Sequence, residues 1–495
     1  MRYVSTRNAS RRVTASEAIV EGLSRDGGLY LPESIPQLLA DDLIAMIPLS
    51  YPERAARIMK LYLDEFSAQE LLGFAKRAYA APQKFDTPVC APLAQLSQNT
   101  FVQELWHGPT CAFKDMALQM LPYLLTASMQ KTGESKTVCI LVATSGDTGK
   151  AALEGFRDVP GTRILVFYPD GGVSDIQRLQ MVTQEGRNVG VCAVRGNFDD
   201  AQTGVKRIFS DEALRAELAE QGYVLSSANS INWGRVLPQI VYYVSAYCDL
   251  LSAGAVKAGN PVNICVPTSN FGNILAAWYA KQMGVPVRTL ICASNENNVL
   301  TEFIRTGVYN RNRPFYQTAS PSMDILISSN LERLLRLLSG SDEAVRGYMR
   351  ALSETGEYRV DEAVLRRLQQ EFAAGCCTDA EGAQTIASCF RRSGYLLDTH
   401  TAVAVTVLEQ YRAQTNDRTP TVVASTASPF KFCASVLGAL GEDACEPGTG
   451  IIGQLARVSG AEAPRPLAEL AGKRVRFEQV VNRTDMEQTV REFLR

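Results

Sequence analysis

The chain has 495 residues, 46% of them hydrophobic, enough for a large core divided among roughly two to four domains at the usual domain size. Its 50 Lys+Arg against 52 Asp+Glu leave a formal charge of -2, so no overall field draws nucleic acid or an anionic membrane, and any bound anion must be held locally. No stretch reaches the ~20 uninterrupted apolar residues that span a bilayer, so neither nucleic acid nor membrane is an expected partner.

The opening MRYVSTRNASRR lacks the apolar run of a secretory signal. Its arginines faintly resemble a transit peptide, but the stretch is short and leads straight into patterned, foldable sequence. Residues 1–95 read as a mainly helical region without chemistry of its own. The twelve cysteines are scattered, often inside apolar runs, with no Cys-x-x-Cys pair and only two histidines to accompany them. That pattern points to buried free thiols in a reducing cytosol and against a protein-built metal site.

HGPTCAFKD comes next, placing Lys114 after a Gly-Pro turn, among Cys111, Ala112 and Phe113, at the start of a helix beginning at Asp115. An amine in apolar surroundings loses hydration of its charged form, which frees the neutral base for Schiff-base chemistry. The plain alternative is a lysine whose stem packs while its head reaches water.

From residue 137 onward, apolar β-branched runs alternate with helical stretches: TVCILVAT, TRILVFYP, VGVCAVRG, VNICVPT, VRTLICAS and PTVVAST. Such alternation predicts an α/β fold whose parallel sheets are buried on both faces, with ligands at the carboxyl ends of the strands. TSGDTGKAALEG follows the first run. It fails as an NTP-binding loop, because Thr144 stands where the first glycine belongs and Ala151 follows Lys150. Ser145, Gly146, Thr148 and the N–H groups of the following helix suit a carboxylate, the alternative being a capped helix with Asp147 in its first turn.

NSINWGRVLPQ gathers Ser230, Asn232 and Arg235, which suit an anion or else a helix cap beside a surface arginine. VPTSNFGNILAAW then leads from a strand through Ser269, Asn270, Phe271, Gly272 and Asn273 into an apolar helix. Free N–H groups at such a start, with small residues allowing close approach, can cradle a phosphate. An ordinary Asn-capped turn reads the same way. Residues 309–391 read as a helical insertion, with LERLLRLLSG and AVLRRLQQEF at helical spacing and no chemistry expected of them.

In this order, HGPTCAFKD, TSGDTG, NSINW, SNFGN and STASP resemble the motif series of threonine synthase in its longer bacterial and fungal form. MRYVSTR and RDGGLYLPESIP resemble that family's amino-terminal signature, so the likeness runs over nearly the whole chain. It implies a fold-type II, tryptophan synthase β-like pyridoxal-phosphate (PLP) enzyme with two parallel-sheet domains. The large PLP-binding domain is expected over residues 96–130, 241–308 and 392–495, and the smaller α/β domain over 131–240. The resemblance further implies that Lys114 binds PLP as a Schiff base, that Ser269, Asn270, Phe271, Gly272 and Asn273 hold its phosphate, that Thr426 faces the pyridine nitrogen and that Asp147 lies near the cofactor's O3'. Ser145, Gly146 and Thr148 would hold a substrate carboxylate, and Ser230, Asn232 and Arg235 a substrate phosphate.

Four positions depart from the family's habit: Ser269 for glycine, Thr399 for proline, Ser428 for histidine and Phe430 for alanine. The implied reaction is conversion of O-phospho-L-homoserine and water to L-threonine and phosphate. Three other outcomes stay open at this level: a phospholyase releasing 2-oxobutanoate and ammonia, a relative acting on another phosphorylated amino acid, and a PLP-binding protein without turnover. A cytoplasmic monomer or homodimer is the expected form.

Overall fold

A computed structural model describes residues 1–445 and 448–495. Its strands in chain order are β1 (Tyr3–Ser5), β2 (Asn8–Val13), β3 (Tyr30–Pro32), β4 (Leu93–Ser97), β5 (Thr100–Glu104), β6 (Thr137–Ala143), β7 (Thr162–Pro169), β8 (Val189–Arg195), β9 (Tyr223–Ser226), β10 (Val262–Pro267), β11 (Val287–Ser294), β12 (Val308–Asn310), β13 (Glu357–Arg359), β14 (Phe372–Cys376), β15 (Thr421–Ser425) and β16 (Val480–Asn482). Every apolar run singled out in the sequence contains one of them. Their side chains are buried on both faces, as continuous Val/Ile/Leu stretches require.

One sheet has the order β14-β11-β10-β15-β5-β4, and another the order β16-β8-β7-β6-β9. All pairings in both are parallel except β4 with β5, an antiparallel edge hairpin. The long helix Trp233–Ser252 is apolar on nearly all sides and buried among its neighbours, which is why its sequence shows little amphipathic contrast. No helix among the described residues is long and apolar enough to cross a membrane.

The topology departs from the expected organisation in three places. Val480–Asn482 pairs with β8, so the carboxyl-terminal strand, and the helix Met486–Leu494 packed behind it, belong with the five-stranded sheet rather than with residues 392–472. Phe372–Cys376, inside the supposed helical insertion, is the edge strand beside β11. The helical pattern of AVLRRLQQEF ends at Glu371, and Phe372 turns extended to pair across the sheet. The amino-terminal region likewise contains a three-stranded sheet, β2-β1-β3, beside its helices. Strands this short carry too little alternation to register in sequence.

Candidate active site

Lys114 stands where the chain leaves β5, and its segment is sewn to the loop after β15. Phe113 N–H donates to the Thr426 carbonyl at 2.8 Å, and Ser428 N–H to the Cys111 carbonyl at 3.1 Å. Cys111 adopts a left-handed backbone (φ 56°), a costly conformation for a residue with a β-carbon that turns the segment toward the cleft. Phe113, Lys114, Asp147, Pro267, Ser269, Ser322, His400 and Thr426 line that cleft. They follow strands of both sheets.

The electrostatic centre is Asp147, the first residue of the helix Asp147–Phe156. Lys431 Nζ lies 2.6 Å from one carboxylate oxygen and Lys114 Nζ 3.6 Å from the other. Gln177 Nε2 donates at 2.9 Å and Ser322 Oγ at 3.2 Å. Burial alone would raise the Asp147 pKa, but the two ammonium groups outweigh it and hold the carboxyl well below the usual range. Burial pushes the Lys114 ammonium down from its ordinary value; Asp147 opposes the shift, while Lys431 and Arg235 add to it. Lys114 Nζ also sits over the Phe113 ring at 4.6 Å, so the amine has little water to hydrate it.

The TSGDTG loop spends part of its donor set on itself. Thr144 Oγ1 accepts from the N–H groups of Gly146 (3.0 Å) and Gly149 (2.9 Å). Gly146 has φ 127°, and a β-carbon there would stand 2.5 Å from the Gln177 side chain, so only glycine fits. Ser145 and Thr148 remain half-buried beside it. Lys150 points away into a buried ion pair with Glu154 at 3.3 Å, which removes it from any phosphate-binding role in this loop.

Arg235 is 3% exposed and ion-pairs with no acid among the described residues. One guanidinium nitrogen donates to the Ala228 carbonyl, while Nε is buried without a partner. Burial lowers its pKa to about 10. Ser230 lies half-buried in the turn before it. Asn232 also serves the fold. Its oxygen accepts from Gly234 N–H at 2.8 Å and its amide donates one hydrogen to the Ile19 carbonyl at 3.0 Å, capping Trp233–Ser252 and tying it to the amino-terminal region.

In the SNFGN loop the left-handed residue is Phe271 (φ 63°), and Ser269 has no left-handed strain. Serine is therefore accommodated at this departure from glycine. The Ser269 carbonyl accepts from Ser328 Oγ at 2.7 Å and the Asn270 carbonyl from Asn330 N–H at 3.0 Å. No protein acceptor among the described residues meets the N–H groups of Phe271, Gly272 or Asn273, buried at the start of Gly272–Gln282. Asn273 holds two tyrosine hydroxyls, Tyr242 (2.7 Å) and Tyr243, on its oxygen, leaving its buried amide nitrogen unpaired. Thr426 is buried at the cleft wall. Ser428 caps the following turn, its hydroxyl accepting from Phe430 N–H at 3.3 Å, and the Phe430 ring is buried.

Three family models match this architecture end to end: "Threonine synthase N terminus" over residues 2–79, "Pyridoxal-phosphate dependent enzyme" over 81–427 and "Threonine synthase, C-terminal" over 401–493. Threonine synthase from Saccharomyces cerevisiae is 37% identical over 464 residues, covering 88% of this chain and 89% of that protein. The chain belongs to the threonine synthase family. Threonine synthase-like 1 from Homo sapiens is 42% identical over 453 residues, covering 89% of this chain; the chain spans 60% of that relative's length. Among solved structures, PLP-bound threonine synthase from Brucella melitensis superposes with a TM-score of 0.88 at 38% identity and full coverage of both chains. The yeast threonine synthase structure gives 0.87 at 33%, covering 100% of this chain and 98% of that one.

The threonine synthase family is PLP-dependent, and the fold here is the fold-type II fold of those structures. The residues present fit that cofactor: a desolvated lysine amine shares its cleft with Ser269, the first residue of a loop whose N–H groups and Asn273 amide are unpaired. Sequence reasoning missed Lys431, Gln177, Ser322 and His400. Lys431, in the apolar run STASPFKF, carried the one available signal, a charge where none is easily buried. His400 packs against Phe432 in a tilted arrangement, ring centroids 4.8 Å apart, and is held by Asp398 at 3.0 Å; its Nε2 accepts from Ser322 N–H at 3.1 Å. Ser322 belongs to the insertion from which no chemistry was expected.

Proposed function

We propose that this protein converts O-phospho-L-homoserine and water into L-threonine and phosphate with PLP bound through Lys114. The observation that carries the reading is Arg235, a buried cation with an unpaired Nε and no acidic partner among the described residues, near enough to the desolvated Lys114 to help lower its pKa. A buried arginine without a counter-ion near a desolvated lysine suits a phosphorylated substrate.

In this proposal Ser269, Asn270, Phe271, Gly272 and Asn273 hold the cofactor phosphate, and Thr426 faces the pyridine nitrogen. Ser145, Gly146 and Thr148 take the substrate carboxylate. Arg235 and Ser230 take the substrate phosphate, while Asn232 fixes the helix that carries the arginine. Bound PLP supplies an electron sink that acidifies the α-carbon of an attached amino acid. Lys114, kept short of hydration by Phe113 and by burial, takes the protons from Cα and then Cβ. Asp147, held ionised by Lys431, fixes the lysine's place and stays an anion through the cycle. Phosphate leaves from Cγ with its bonding electrons, Cγ regains a proton, and water adds hydroxyl at Cβ and hydrogen at Cα. Both sheets contribute walls, so the large and small α/β units of the expected division close on one ligand.

The test is product analysis after incubating the PLP-loaded protein with O-phosphohomoserine. Threonine should be the main product. Mostly 2-oxobutanoate would replace this reading with the phospholyase, and an unchanged cofactor absorbance on substrate addition would leave a binding protein without turnover.

A further inference from the structure

Asn330 immediately precedes the helix Leu331–Ser339 of the insertion and is fully buried, yet its amide nitrogen has no partner. Its orientation is not arbitrary. The side-chain oxygen accepts from Arg333 Nη1, and a guanidinium can only donate, so the NH2 group must be the end that points the other way. Arg333 is itself fixed, with Nε donating to the Tyr30 carbonyl at 2.8 Å and Nη2 to the Ile231 carbonyl.

That NH2 group points at the SNFGN loop. A β-carbon placed on Gly272 would stand 3.3 Å from Asn330 Nδ2. The backbone of the same stretch grips the loop, through Asn330 N–H to the Asn270 carbonyl at 3.0 Å and Ser328 Oγ to the Ser269 carbonyl at 2.7 Å. A buried amide donor left unpaired costs about 1–3 kcal/mol unless something accepts from it, and the neighbouring unpaired groups are also donors: the N–H groups of Phe271, Gly272 and Asn273, and Asn273 Nδ2. Donors gathered from two chain segments with no acceptor among them require an anion.

We infer that Asn330 of the helical insertion donates its side-chain amide to the phosphate group held at the start of Gly272–Gln282, making the insertion part of the cofactor's phosphate site. The inference rests on the reading of this loop as the PLP phosphate cradle. It explains why the insertion is tied to the loop at both carbonyls: the ties set the distance of the donor.

The experiment measures dissociation constants for PLP and for pyridoxal, which has the same aldehyde and no phosphate, by absorbance titration of the apoprotein, its Asn330→Ala variant and its Asn330→Asp variant. Asn330→Asp is isosteric and keeps an acceptor for Arg333, so it preserves the tie and the fold while turning a carboxylate toward the anion. PLP binding should weaken ~10-fold or more in Asn330→Ala, the scale of a lost hydrogen bond to a charged group, and further in Asn330→Asp, with pyridoxal binding unchanged in both. Equal weakening for PLP and pyridoxal, or no weakening in Asn330→Asp, would overturn the inference and leave Asn330 a packing tie. A wild type that binds pyridoxal as tightly as PLP would instead overturn the reading of the loop itself, and this inference with it.

Discussion

Two lysines, Lys114 and Lys150, meet acids of the helix Asp147–Phe156 about two turns apart, and they differ in how completely the protein satisfies them. Lys150 meets Glu154 at 3.3 Å and the Gln184 oxygen, while Gln184 Nε2 donates to the same carboxylate at 3.0 Å and Arg157 approaches it at 3.4 Å. Lys114 meets Asp147 at 3.6 Å, beyond hydrogen-bonding distance, and donates to no other group among the described residues. Burial lowers the pKa of both lysines. The first pair is closed, so its charges hold structure; the second is left open, and an open buried charge marks a place for a ligand.

Replacing the two lysines separates these roles. Lys114→Ala should cost at least ~10³ in turnover, because it removes the covalent anchor and the base together, with the unfolding midpoint little changed. Lys150→Ala should leave turnover of the folded protein intact and cost about 3 kcal/mol of stability in urea unfolding, since Glu154 then stays buried with weaker partners. A Lys150→Ala protein of normal stability and no turnover would erase the distinction.

Arg235 extends the contrast to a cation with no acid at all. Arg235→Ala should lower kcat/KM for the phosphorylated substrate by the equivalent of about 1.5–3 kcal/mol while PLP stays bound, as read by its absorbance. If the variant sheds PLP and keeps its substrate affinity, the two anion sites are exchanged.

The smallest effect concerns His107, a closed cluster beside the lysine segment. Burial would lower its pKa, but the hydrogen bonds its protonated ring donates to Asp86 and Glu104 outweigh that and raise it from 6.5 to about 9. A raised folded-state pKa means the contribution is fully present below pH 6.5 and fades as pH rises through about 9. Stability measured across that window should fall with pH in the wild type and lose this component of the slope in His107→Gln.

How far the site could be read in advance depended on whether a residue's partner was near in sequence. Thr144 to Gly149 and Ser269 to Asn273 could be nominated in advance because a strand end, small residues and a helix start are all local. The tie from the Asn232 amide to the Ile19 carbonyl could not be, because that carbonyl lies far away in the chain. Ser322 and Asn330 gave no local signal, and the buried charge of Lys431 gave only a faint one, because each meets Asp147 or the SNFGN loop only across the fold.

Composition and periodicity alone determined the α/β class, the buried parallel strands, the loops at their carboxyl ends and the candidacy of Lys114, since each follows from hydrophobic spacing and local backbone chemistry. Tertiary structure decided the rest: that Val480–Asn482 crosses to the five-stranded sheet, that Lys150 is closed while Lys114 is open, and that a helical insertion turns an unpaired amide toward Gly272. Whether a buried polar group is satisfied depends on distance in space, and spacing along the chain carries no record of it.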